Sequence, residues 1–382
     1  MVPTQQPHSA LSKSKALCSR RAVMRGLLGG LAASVASRLE WSGTVALAHQ
    51  GTHMIGEPVA FGAYLPDALW EPDVLVQYSA AIHRKPDFLV WYTSWADGEF
   101  GDEQRKILKT LDAWHAVPVI AWDPMDYSGP PVDQPLYKLS NIIRGDFDAV
   151  ITSWAKGLAA FGSPVIINFA HEMNGNWFPW AVGVNGNQPG EFIAAWRHVR
   201  DIFTGVGTPN VRWLWAPNEL YTDVPATLED VYPGDEYVDW YGMNGFNWGA
   251  AIRWRDCDCQ SAWRTFPEVF DYTYQRLVEL GDKPIMIGEV GSAEAGGDKA
   301  AWITDALTVQ LPENYPQIRA VAWFNKIATG LETVDPGVVE PTAASVDWRA
   351  NSSASSLAAF TAAVTSPYYQ GSLRTMLNGS QK

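Results

Sequence analysis

Cysteine is nearly missing from this chain: there are three in 382 residues, and only Cys257 and Cys259 lie beyond position 48. So few thiols exclude a disulfide-built scaffold. The pair, one residue apart, leaves three readings open: reduced thiols, a strained local disulfide, or part of a metal site whose other ligands are not in evidence nearby. Histidine is sparse too, with seven residues and no second one at metal spacing around His171. Past the first 48 residues no run of about 18 apolar residues occurs, which excludes a spanning helix and stable membrane insertion. Basic charge is short, 28 Lys and Arg against 41 Asp and Glu. That balance repels nucleic acid phosphates and anionic lipid. A nucleophile elbow of the Gly-x-Ser-x-Gly type is also lacking, since Gly291-Ser292 has the wrong context. Neither an internal repeat beyond short alternating elements nor a low-complexity linker divides the chain.

Tryptophan is what the chain has in excess, with 19 residues. Indole planes stack on the C–H faces of sugars while polar neighbours take the hydroxyls, so the surplus favours a carbohydrate cleft, with most individual tryptophans expected in the core. The first 48 residues differ in character. Ser19-Arg20-Arg21-Ala22-Val23-Met24 resembles a twin-arginine export signal, the apolar stretch 26–36 is too short to cross a bilayer, and Ala46-Leu47-Ala48 fits a small-x-small cleavage site. A disordered basic tail is the alternative. Removing residues 1–48 takes away six Lys and Arg and one acid, which moves the net charge from −13 to −18. A secreted monomer acting on a neutral substrate, without cofactor or metal, is expected.

From residue 59 short apolar runs alternate with longer amphipathic stretches, the sign of repeated βα units. Strands are expected at 59–64, 88–95, 117–122, 165–172, 211–217, 237–244, 284–289 and 318–324. Eight of them close an α/β (β/α)8 TIM barrel. Helices are expected at 103–115, 146–161, 189–204 and 263–280, from apolar positions near the 3.6 period. The barrel is read as one domain over 49–365, with 366–382 a tail that frays from about Pro367. Insertions 123–145 and 218–234, rich in Pro, Gly, Asp and Tyr, are expected to shape the barrel mouth.

Two strands end in chemistry. Ile167-Asn168-Phe169-Ala170-His171-Glu172-Met173-Asn174-Gly175-Asn176-Trp177 passes from an apolar run into a carboxylate, an imidazole, amides and an indole; Lys283-Pro284-Ile285-Met286-Ile287-Gly288-Glu289-Val290-Gly291 repeats the pattern. Two glutamates at strand exits of one barrel are what glycoside hydrolysis requires, a proton donor and a nucleophile or base. Glu172 is expected as acid/base, its pKa raised by Phe169, Trp177 and Phe178, and Glu289 as nucleophile. His171 is expected to hydrogen-bond beside them. Glu219, in Trp215-Ala216-Pro217-Asn218-Glu219, is a rival acid should the strand count slip by one. Tyr64, Trp95, Trp122 and Trp215 are candidate subsite platforms, each with core as the alternative.

His171-Glu172-Met173-Asn174-Gly175-x-Trp177, Trp213-x-Trp215-x-Pro217-Asn218, Asp239-Trp240-Tyr241-Gly242 and Pro284-Ile285-Met286-Ile287-Gly288-Glu289 together resemble glycoside hydrolase family 26. The resemblance covers most of residues 59–360. It implies a retaining (β/α)8 enzyme acting on a β-glycan, β-1,4-mannan first and mixed-linkage β-1,3-1,4-glucan close behind. It also implies Trp177 near the cleaved bond and Trp323 as a platform under the sugar. Phe246 stands where many members place a Tyr that supports the nucleophile, so Asn244 or Tyr241 would take over that support, with Asn218 also at the site. A carbohydrate-binding protein on a retired scaffold is the reading from another class; an enzyme trimming the host's own exopolysaccharide keeps the chemistry and changes the biology.

Overall fold

The computed structural model describes residues 57–220, 226–251, 253–254, 259–329 and 345–379. The expected export signal and Cys257 lie outside these residues. Eight parallel strands close a barrel: β1 Ala60–Tyr64, β2 Phe88–Ser94, β3 Val117–Asp123, β4 Val165–Phe169, β5 Val211–Trp215, β6 Trp240–Asn247, β7 Ile285–Ser292 and β8 Ile318–Phe324. Each pairs with its sequence neighbours and β8 closes on β1, so Ala60 faces Ala320. All eight expected strands are present.

Strand alternation divides the apolar residues into two sets. Ala60, Phe88, Val90, Val117, Val119, Ile166, Leu214, Trp240, Met286, Ala320 and Ala322 fill the interior. Their alternates, Trp91, Trp122, Ile167, Trp213, Tyr241, Ile287 and Trp323 among them, meet the helices in the larger outer core. Gly62 is required where it stands, because a Cβ there would lie 2.4 Å from the Phe88 ring.

The helices of the outer ring are α1 Pro72–Ala81, α2 Asp102–Ala113, α3 Asp148–Phe161, α4 Glu191–Val206, α5 Leu228–Val231, α6 Phe266–Leu280, α7 Lys299–Asp305 and α8 Ala354–Val364. In α6, Phe266, Val269, Phe270, Thr273, Tyr274 and Leu277 are buried at helical spacing. Thr265 begins it as a capping box with Glu268, which satisfies two otherwise orphaned backbone donors. Among the described residues no helix is long and apolar enough to cross a membrane.

The expected frayed tail is corrected. The backbone of Val59 bonds on both sides, its N to Tyr368 O at 2.8 Å and its O to Gly371 N at 3.0 Å. Tyr369 Oη donates to Leu307 O at 2.8 Å. A last helix, α9 Leu373–Gly379, buries Leu373 and Leu377 against the interior residues of the barrel. Burial of Tyr368, Tyr369, Leu373 and Leu377 outweighs the Ser, Gly and Pro content that reads as a loose end.

Candidate active site

Glu172 sits three residues past β4, where the chain turns abruptly. Ala170 and Glu172 take φ of 48° and 54°, a left-handed conformation that costs non-glycine residues about 1 kcal/mol or more each. Backbone bonds hold the turn: Ala170 N to Trp122 O at 3.3 Å and Glu172 N to Ala216 O at 2.8 Å. The carboxylate is thereby delivered over the mouth and left 7% exposed.

Glu289 arrives by a different device. The β6–β7 register runs Met243 to Ile287 and then Asn244 to Glu289, skipping Gly288. This bulge re-aims the side chain. Without it, alternation from Met286 would turn Glu289 outward into the helices. A Cβ on Gly288 would stand 2.7 Å from Asn244 Oδ1, so a larger residue at the bulge would displace the amide that bonds Glu172.

Hydrogen-bond donors surround Glu172 in place of the expected apolar pocket. Trp177 Nε1 donates to Oε2 at 2.9 Å, and Asn218 Nδ2 and Asn244 Nδ2 donate to Oε1 at 2.8 and 3.1 Å. Phe169 instead belongs to the outer layer, stacked on Trp95 at 5.6 Å. Asn174 steadies Asn218, accepting from its backbone N at 2.9 Å and donating to its O at 3.1 Å.

Tyr92 hydrogen-bonds Glu289 Oε1 through its hydroxyl. Burial first, then the charge of Glu172, pushes the Glu289 carboxyl up to about 7; His171 and Tyr92 pull in the opposite direction. His171 is 3% exposed with Nδ1 3.1 Å from Asp123 Oδ1. Burial is the largest single influence and opposes charge on this ring, but Asp123, Glu289 and Glu172 together outweigh it, and the imidazole is pushed up to about 9. A cation therefore stands beside two acids at neutral pH.

The fold brings Glu172, Glu289, His171, Trp177, Asn218 and Asn244 together at the barrel mouth; the expected support of Glu289 by Asn244 is corrected, since Asn244 Nδ2 bonds Glu172 and Tyr92 bonds Glu289. Tyr64 also reaches the mouth, its ring 4.8 Å from those of Tyr92 and Phe324. Phe246 lines the wall, 4.6 Å from the Trp348 ring. Three expected site residues are corrected. Tyr241 is buried on the outer side of β6, its hydroxyl 3.2 Å from that of Tyr232. Trp323 also faces outward, its ring 4.9 Å from Phe360 and its Nε1 on Trp348 O. Trp95, 2% exposed, packs against Trp122 and Phe147. The platform candidates Trp122 and Trp215 are fully buried as well. All are core for the same reason: strand parity, or the turn after β2, directs them toward helices.

The rival Glu219 is engaged elsewhere, paired at both oxygens with Arg264 at 2.5 and 2.7 Å. Sequence reasoning missed Tyr92, Asp123 and Asn174. Two had a signal: Tyr92 shares parity with Phe88 and Val90 in an expected strand, and Asp123 is a carboxylate at a strand exit. Among the described residues no three His, Cys, Asp or Glu side chains come together as metal ligands.

A barrel with paired carboxyls at its mouth defines a class of glycoside-hydrolase scaffold. Residues 77–256 match the family described as Glycosyl hydrolase family 26, and the chain resembles that family. It is 37% identical over 250 residues to Endoglucanase H of Acetivibrio thermocellus, covering 64% of this chain and 24% of that protein. It is 29% identical over 171 residues to Mannan endo-1,4-beta-mannosidase A and B of Caldalkalibacillus mannanilyticus, covering 43% and 29% of the two. The chain thus spans about a quarter of the length of these relatives. The fold is similar to the catalytic domain of an endo-beta-1,4-mannanase from Bacillus sp. JAMB-750, with TM-score 0.56, 18% identity and 82% and 86% of the chains covered.

Proposed function

We propose that this protein is a secreted, retaining endo-β-glycosidase that cleaves a neutral β-glycan by double displacement. Glu172 protonates the leaving oxygen while Glu289 attacks the anomeric carbon; Glu172 then deprotonates the water that releases the glycosyl-enzyme. The observation that carries this reading is the unequal equipment of two buried carboxyls at one barrel mouth. Glu172 meets three N–H donors, and Glu289 meets a phenol hydroxyl beside a cationic His171.

Burial and the neighbouring charge of Glu172 favour a proton on Glu289 in the unliganded protein. The chemistry needs that proton on Glu172 when glycan is bound. Tyr92 and His171 favour this, because both stabilise negative charge at Glu289. Attack on sugar neutralises Glu289, which lets Glu172 ionise and act as base.

A β-linked glucan is the substrate we place first, since the relative with 37% identity is named an endoglucanase. β-1,4-Mannan is second, supported by relatives at 25–29% identity named mannan endo-1,4-beta-mannosidases. Reducing-end release from barley β-glucan, glucomannan, galactomannan, xylan and laminarin tests both, with Glu172→Ala and Glu289→Ala as controls. Activity on barley β-glucan above galactomannan is expected. Activity on none of them, or activity that survives both substitutions, overturns the reading.

A further inference from the structure

Tyr127, in the loop between β3 and α3, is divided between water and protein. Half of the residue is exposed, yet its hydroxyl donates to Asp123 Oδ2 at 2.8 Å. The other oxygen of Asp123 holds His171, which precedes Glu172 in the chain and sets its ring edge-on to Tyr92, the partner of Glu289. Two hydrogen bonds therefore join an exposed phenol ring to the imidazole beside both acids.

The loop under Tyr127 is pinned. Gln134, 5% exposed, accepts from Asp126 N at 2.8 Å and donates to Asp126 O at 2.9 Å and Pro130 O at 2.8 Å. Ser128 N donates to Asp126 Oδ1 at 2.8 Å. Asn185 closes the far side, bonding both the N and the O of Gln134 at 3.1 and 2.8 Å. A rim loop would ordinarily be mobile. Holding an exposed aromatic still has a use in binding, because a preorganised ring loses little freedom when a ligand lies on it.

We propose that Tyr127 is a sugar-stacking platform on the rim of the cleft, with Asp123 and the pinned loop presenting its exposed face to a pyranose ring of the polysaccharide. The inference rests on the glycosidase reading and adds a contact in which the aromatic face, and not the hydroxyl, carries affinity. Aromatic stacking of this kind is worth roughly a fivefold change in binding.

Steady-state kinetics of full-chain Tyr127→Phe and Tyr127→Leu on the polysaccharide that the wild type hydrolyses best separate the roles. Tyr127→Leu is expected to raise KM roughly fivefold over Tyr127→Phe, which shares any effect on kcat of losing the bond to Asp123. Tyr127→Phe, which keeps the ring and loses the tether, stays within about twofold of wild-type KM. If Leu binds as wild type does, or if Phe raises KM as much as Leu, the ring is not a platform and the inference falls. Tyr127→Trp, expected to bind at least as well as Phe, provides the comparison should the Leu variant lose thermal stability. A wild type that hydrolyses no glycan would overturn the glycosidase reading first, and this inference with it.

Discussion

Asn244 reaches from β6 to Glu172, its Nδ2 3.1 Å from Oε1, while its own Cα is in register with Glu289 on β7. One amide thus touches the first acid and adjoins the second. A hydrogen bond to a charged group is worth about 1.5–3 kcal/mol. Asn244→Ala is therefore expected to lower kcat/KM about 10- to 100-fold with the fold intact by circular dichroism. Wild-type kinetics in that variant would show that the amide does not steer Glu172.

Tyr92 lowers the proton affinity of Glu289 by donating to its carboxylate. Tyr92→Phe removes that donor and raises the Glu289 pKa further above about 7. A nucleophile must be ionised, so the acidic limb of the kcat/KM profile is expected to move to higher pH, toward an alkaline optimum. The pH–rate profiles of wild type and variant on one substrate check this; coincident acidic limbs would contradict it.

Stability should respond to pH through two groups. Glu289 is raised from 4.5 to about 7 and His171 from 6.5 to about 9, so both hold protons better in the folded state. Their contribution is fully present below the unfolded values and is lost as pH rises through the folded ones. For Glu289 the window is about 4.5 to 7, and the ionised carboxylate then costs the unliganded fold on the order of 3 kcal/mol. Glu289→Gln, inactive, is expected to melt above wild type at pH 8 and to converge with it near pH 4. A gap that does not grow with pH would contradict this.

Glu219 and Arg264 form a half-enclosed bidentate pair, with side-chain exposures of 4% and 21%. Arg264→Met takes the bidentate Arg264 contact from the buried carboxylate, and a hydrogen bond to a charged group is worth about 1.5–3 kcal/mol in stability. A clear fall in the thermal midpoint is expected, whereas Glu219→Gln should keep turnover far above that of Glu172→Gln. Equal loss of turnover in the two glutamine variants would restore Glu219 as a rival acid.

The barrel was legible because eight apolar runs at βα spacing admit few other solutions, and both acids were legible because each follows such a run. What was not legible depends on parity and on local breaks in it. Tyr241, Trp323 and Trp122 occupy strand positions that alternation turns toward helices, and one residue of slip in an assumed register exchanges the two faces. Glu289 points inward through a bulge at Gly288, which the sequence marks only by a glycine. Tyr92 supplies the phenol from the far side of the barrel, a pairing that closure of the sheet creates and chain distance conceals. The C-terminal residues misled by composition: Ser366, Pro367 and Gly371 flank tyrosines and leucines that seal against Val59 and the barrel interior.

Trapping the glycosyl-enzyme tests the central assignment most directly. A 2-deoxy-2-fluoro glycoside with a good leaving group should inactivate the wild type and add one fluoroglycosyl mass to the peptide carrying Glu289, as read by mass spectrometry after proteolysis. A label on Glu172 would reverse the two roles. Turnover of natural substrate without any trapped adduct, and with product of inverted anomeric configuration by NMR, would contradict double displacement.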